Sequence, residues 1–95
     1  MSELNMKILE LLPQECEDEA YEFESGFIVA TRGFINVFYY DIERLIPQAL
    51  QLIKETYSCA DYLQTFKYDG IKFWVISSAL VGEPAIITFL LPEEY

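Results

Sequence analysis

The stretch DYLQTFKYDGIKFWVIS, residues 61–77, decides the fold. Two runs of aromatic and β-branched residues, Asp61–Tyr68 and Ile71–Ser77, flank the dipeptide Asp69-Gly70. Asp-Gly tolerates positive φ at both central positions of a type I′ turn, whose twist matches that of the strands it joins. An antiparallel hairpin is therefore predicted. Alternation puts Tyr62, Gln64, Phe66 and Tyr68 on one face of the first strand and Leu63, Thr65 and Lys67 on the other. In the second strand both faces carry large apolar groups, Ile71, Phe73 and Val75 on one side and Trp74 and Ile76 on the other. One covering helix cannot bury both faces, so Trp74 and Ile76 are candidates for a dimer or partner surface.

Toward the C-terminus, Gly82-Glu83-Pro84 predicts a turn and Ala85–Leu91 a further strand, which Pro92 ends. Toward the N-terminus, DIERLIPQALQLIKETYS (residues 41–58) spaces Ile46, Leu50, Ile53 and Tyr57 along one helical face. Proline is tolerated only in a first turn, so this helix is expected to begin near Pro47, after a looser turn at Asp41–Ile46. Upstream, FIVAT (Phe27–Thr31) and FINVFYY (Phe34–Tyr40) flank Arg32-Gly33 and predict a second hairpin. Ser2 offers a cap for a short helix over Glu3–Leu12, with Pro13 beyond its end; a strand over Met6–Leu12 is the alternative. Gln14–Glu19 reads as an exposed loop.

The predicted fold is α+β. An antiparallel sheet of about five strands, in the order β-β-α-β-β-β, packs on one main helix with the short N-terminal helix beside it. Ninety-five residues suit one domain, divided into an acidic segment (1–24) and a sheet-and-helix core (25–95). Its 53% hydrophobic content argues against disorder.

Sixteen acids against six bases, with no histidine, give a net charge of −10. Residues 1–24 hold eight acids and one base, a net −7. Nucleic acids and anionic lipids are bound through Lys and Arg, so neither is an expected partner. The longest uncharged stretch, Phe73–Gly82, has ten residues, too few to span a bilayer. No signal peptide is read at the N-terminus, where Glu3 stands in place of positive charge, and the expected location is the cytoplasm. The two cysteines, Cys16 and Cys59, match no zinc spacing and read as reduced thiols, a single bridge being the alternative.

Catalysis is not expected. Histidine, the commonest general base and the usual activator of Ser or Cys nucleophiles, is absent. Cys16 sits among Glu15, Glu17, Asp18 and Glu19, whose charge works against a reactive thiolate. No phosphate-cradling glycine motif is present. The acidic run lacks the spacing and central glycine of a Ca²⁺ loop, so no metal or cofactor is expected. Arg32, at the tip of the first predicted hairpin, reads as the partner of a nearby carboxylate.

The candidate binding residues are Glu15, Glu17, Asp18, Glu19, Tyr21, Glu22, Phe23 and Glu24. Carboxylates interleaved with aromatic rings can dock on a basic surface or occupy a phosphate-binding groove. The plainer reading is that they keep a small apolar domain soluble.

Thr31-Arg32-Gly33, a helical stretch, Asp61-Tyr62-Leu63-Gln64-Thr65-Phe66 and then Gly82-Glu83-Pro84 resemble a family of small bacterial proteins. That family, found largely in Gram-positive bacteria and their mobile elements, has the pattern T-R-G, a helix, D-Y-L-Q-x-F and an acid before a proline. The likeness covers roughly Phe27–Leu91. This chain lacks the histidine and glutamine of the family's closing segment, places Pro47 later, and carries an acidic segment without counterpart there. The family has no established activity, so the resemblance implies a fold type, no catalytic residues, and a phage or plasmid setting.

The expected function is a non-catalytic module that binds a protein partner with a basic surface. An inhibitor from a phage or mobile element fits, docking on a nuclease or nucleic-acid-binding protein as a DNA mimic of the immunity or anti-defence type. The alternative is a homodimeric assembly module whose acids serve solubility.

Overall fold

A computed structural model describes residues 7–15 and 18–95. Five strands and two helices follow one another: β1 (Leu9–Leu11), β2 (Phe27–Ala30), α1 (Arg32–Val37), α2 (Ile42–Thr56), β3 (Leu63–Tyr68), β4 (Ile71–Ser77) and β5 (Ile86–Leu90). A 3-10 turn over Pro92–Glu94 closes the chain. The sheet order is β1-β3-β4-β5-β2. It is a mixed sheet, because β2 runs parallel to β5 while the other pairs are antiparallel.

The β3–β4 hairpin forms as its sequence dictates. Asp69 and Gly70 adopt φ of 54° and 79°, the doubly positive pair of a type I′ turn. Gln64, Phe66 and Tyr68 alternate into the interior opposite Val75, Phe73 and Ile71. The strand predicted over Ala85–Leu91 is β5.

The predicted first hairpin does not form. Phe34–Tyr40 leaves the sheet, and α1 takes its place. Thr31 caps this helix by accepting from the Phe34 N–H at 3.3 Å. Phe34 and Phe38, four apart, then share one helical face, with ring centroids 4.9 Å apart and both side chains buried. That burial overrides the β-propensity of the run. The fifth strand comes instead from the N-terminal segment. Leu9–Leu11, expected as part of a helix with a strand as the alternative, takes the strand form and pairs antiparallel with β3, Leu9 facing Tyr68 and Leu11 facing Phe66. Residues 3–6 of the expected helix lie outside the described residues.

The main helix also starts earlier than expected. α2 begins at Ile42, and Pro47 stands inside it. Pro47 has no N–H to donate to the Glu43 carbonyl four residues back, and that carbonyl belongs to an exposed residue of the first turn. Leu45, Ala49 and Ile53 are buried on either side and hold the helix against the sheet, at the cost of that one bond. Of the predicted stripe, Ile53 lies in this seam, and Ile46, Leu50 and Tyr57 flank it, half-buried.

Phe73 is the hub of the interior. Its ring stacks on Phe66 at 5.1 Å and 6°, and meets Phe34 at 5.2 Å, Phe38 at 5.3 Å and Phe89 at 6.2 Å. Each such ring taken from water contributes about 2–3 kcal/mol. The opposite sheet face is more open. Trp74 and Ile76 lie half-buried there, between Thr65 and Leu90 and between Leu63 and Thr88 respectively.

Candidate functional site

The segment that follows β1 is fixed to the end of the sheet by Gln14. Its Nε2 donates to the Cys59 carbonyl at 2.9 Å, and its Oε1 accepts from the Asp61 N–H and from Gln64 Nε2, each at 2.8 Å. Gln64 is fully buried and also donates to the Asp61 carbonyl. Gln14 and the distant loop 59–62 are thereby brought together. Gln14→Ala strips three polar partners at once and is expected to cost about 2–4 kcal/mol in a urea-unfolding measurement. A loss below about 0.5 kcal/mol would show that water replaces the side chain.

Tyr21 is placed by a second set of backbone bonds. Its N–H donates to the Ala60 carbonyl at 2.8 Å, Glu22 N–H to Ala79 at 2.9 Å, and Val81 N–H to Ala20 at 3.0 Å. The result is one hollow lined by Glu15, Asp18, Glu19, Tyr21, Asp61 and Tyr62. The two tyrosine rings lie 6.0 Å apart at 60°. The Tyr21 hydroxyl donates to Glu19 at 3.4 Å, and burial followed by the Glu19 charge raises its pKa above the ordinary phenol value. Tyr62 is raised too, first by Tyr95 and then by burial and Asp61. Tyr95 in turn meets Trp74 edge-on, with centroids 5.4 Å apart. An aromatic run Tyr21–Tyr62–Tyr95–Trp74 therefore leads from the acidic hollow onto the open sheet face.

The remaining sequence candidates divide. Glu15, Asp18, Glu19 and Tyr21 come together in the hollow, whereas Cys16 and Glu17 lie outside the described residues. Phe23 is buried in the core, only 4% exposed, and offers a partner no surface. The Glu22 carboxylate accepts from the backbone N–H groups of Ser25 (2.9 Å), Glu24 (3.0 Å) and Gly82 (3.2 Å). Those bonds, Ser25 first and then Gly82, hold its pKa below the usual carboxylate range, so Glu22 staples two loops. Glu24 lies 3.5 Å from Lys54 in an exposed ion pair. Asp61, Tyr62 and Tyr95 escaped the sequence reading because they are remote in the chain. The acid-aromatic pair Asp61-Tyr62 is the one local signal they carry.

Positive charge gathers at the opposite end of the sheet. Lys67 and Lys72 face each other across the β3–β4 register, and Lys67 also faces Glu10. Lys7 and Arg44 both pair with Asp41 at 3.0 Å, and Arg44 donates to the Tyr68 hydroxyl. The Asp41 hydrogen bond and charge raise the Lys7 pKa. Five residue steps along β3 separate the two ends by roughly 16 Å. The hollow thus presents carboxylates beside the faces of two tyrosine rings. Among the described residues, no group of three or more His, Cys, Asp or Glu side chains could hold a metal ion, and no helix is long and apolar enough to cross a membrane. Comparison with family models, curated proteins and solved structures returned no match.

Proposed function

We propose that this chain is a non-catalytic binding module that offers its acidic hollow to a Lys- or Arg-rich surface of another protein. The observation that carries this reading is the convergence of Glu15, Asp18, Glu19 and Asp61 around the rings of Tyr21 and Tyr62. Carboxylates beside aromatic faces present to a guanidinium both a charge-assisted acceptor and a π surface. Nucleic-acid-binding proteins and nucleases carry such basic surfaces for phosphate. A chain of net −10 that fills one competes with the nucleic acid, which is the action of an inhibitor by DNA mimicry. A phage or mobile-element inhibitor acting in the host cytoplasm fits this chemistry. The shared T-R-G and D-Y-L-Q-x-F pattern is consistent with that origin.

Trp74 is the single tryptophan and stands at the end of the aromatic run, so its fluorescence reports occupancy. Titration with an arginine-rich decapeptide is expected to give a saturable change, with affinity falling about tenfold between roughly 50 and 300 mM salt. No saturable change at the lower salt, or an affinity indifferent to salt, would refute the reading.

A further inference from the structure

The sheet face turned away from the helices is apolar where a solvated face would be polar. Antiparallel sheets with one wet side alternate apolar residues inward with polar residues outward. Here the outward positions form two uncharged rows across the register, Leu63, Ile76, Thr88 and Val29 in one, Thr65, Trp74 and Leu90 in the other. Beyond the first row, Ile86 and Phe27 pair on the same face and are 51% and 72% exposed. Tyr95, itself exposed, adds its ring edge-on to Trp74. Charge stands at the two ends of this face. Lys67 and Lys72 lie side by side one row beyond Thr65 and Trp74, with Glu10 next to Lys67. At the other end, two residues before Leu63, stands Asp61 on the rim of the acidic hollow.

We propose that this face is a self-association site. A second copy stacks its own open face on it about a two-fold axis that crosses the strands at the level of Gln64, Val75 and Phe89. The inference does not need the hollow to bind another protein. Charge complementarity selects a second copy over an unrelated apolar partner. An apolar partner would match the middle rows and leave Lys67 beside Lys72, a like-charge pair that costs a sheet stability. This chain carries the matching carboxylate at an equal distance on the other side of the axis. Asp61 stands three residues before Gln64 and Lys67 three after it, each about 10 Å from the axis. The rotation therefore sets Asp61 of each copy over Lys67 of the other, and it lays Ile76 on Trp74 and Leu63 on Thr65. A two-fold axis along the strands would instead set the acidic end on the acidic end.

Four strands about 4.8 Å apart and six residues of strand length give the face a footprint of roughly 400 Å² per copy. That is at the lower end of specific interfaces, and the net charge of −10 on each copy opposes contact, so a weak reversible dimer follows. Its dissociation constant is expected on the order of 100 μM. At the lower concentrations of a fluorescence titration the chain is then monomeric, and the peptide-binding reading is tested apart from this one.

Sedimentation equilibrium on the full chain tests the assignment, with circular dichroism as the check on folding. Ile76→Lys puts an ammonium group into the apolar middle of each face and is expected to weaken the dimer at least about tenfold. Thr88→Lys, in the same row, is expected to do the same and carries the test should Ile76→Lys unfold. Tyr40→Lys, at a 94% exposed position in the turn after α1, is expected to leave the dimer unchanged. Lys67→Glu is expected to weaken it about threefold, and adding Asp61→Lys to restore it, which fixes the axis. A strict monomer at about 1 mM in both low and high salt would overturn the proposal. So would a dimer that survives the lysine in the middle row, one lost with Tyr40→Lys, or one that the charge swap fails to restore.

Discussion

Phe73→Ala is expected to remove about 3–5 kcal/mol of folding stability. The side chain is fully buried and its ring touches Phe34, Phe38, Phe66 and Phe89, drawn from α1, the turn after it, β3 and β5. Alanine leaves a cavity walled on several sides by rings, and rings fixed on different elements collapse poorly. A domain of this size has about 5–15 kcal/mol in all, so the variant stands near the limit of folding. The midpoint of thermal unfolding should fall by roughly 15–30 °C. Tyr40→Ala, at a position 94% exposed, should stay within about 0.5 kcal/mol of the parent. A Phe73→Ala cost under about 1.5 kcal/mol would mean that the aromatic cluster can repack around the gap.

Chemistry written into adjacent residues was readable; contacts made by distant ones were not. The β3–β4 hairpin was legible because Asp69-Gly70 fixes turn geometry by itself. The sequence also shows one main helix and a five-strand sheet in an α+β fold. The fifth strand, however, is Leu9–Leu11 rather than Phe34–Tyr40. Phe34–Tyr40 satisfies a strand template residue by residue, and its aromatic and β-branched content favours that reading. Two signals pointed the other way: Thr31 three positions before Phe34, as a capping residue stands, and the four-residue spacing of Phe34 and Phe38. A further brace comes from the far end of the chain. The Glu94 carboxylate accepts from the Thr31 hydroxyl, from the Gly33 N–H at 2.9 Å and from the Leu91 N–H at 2.8 Å. These bonds, that of Thr31 first, hold the Glu94 pKa low. A Cβ at Gly33 would sit 2.4 Å from that carboxylate, so glycine there admits the brace and makes no hairpin turn.

The acidic segment was legible as charge and not as a surface. Its eight carboxylates look equivalent in sequence. The fold sends Glu10 to the basic end opposite Lys67, spends Glu22 on three backbone N–H groups, sets Glu24 beside Lys54 and buries Phe23. Among the described residues, what remains exposed at one place is Glu15, Asp18 and Glu19, joined by Asp61 from a loop more than forty residues away. Gln14 makes that junction, and a lone glutamine among acids carries no sign of such a role.

Placement of charge, rather than its total, is what the proposed function depends on. Reversing the hollow with Glu15→Lys, Glu19→Lys and Asp61→Asn changes the net charge by five. The triple change Glu10→Lys, Glu43→Lys and Glu83→Gln changes it equally at positions outside the hollow. Close charge pairs across an interface couple by about 1.5 kcal/mol or more each, whereas remote charges act weakly through a screened field. The direct measurement is the affinity of both variants for the arginine-rich peptide at about 100 mM salt. The hollow variant is predicted to bind on the order of 100-fold more weakly than the parent, and the control variant within about threefold of it. Equal losses in the two variants, or undiminished binding after reversal of the hollow, would contradict the account.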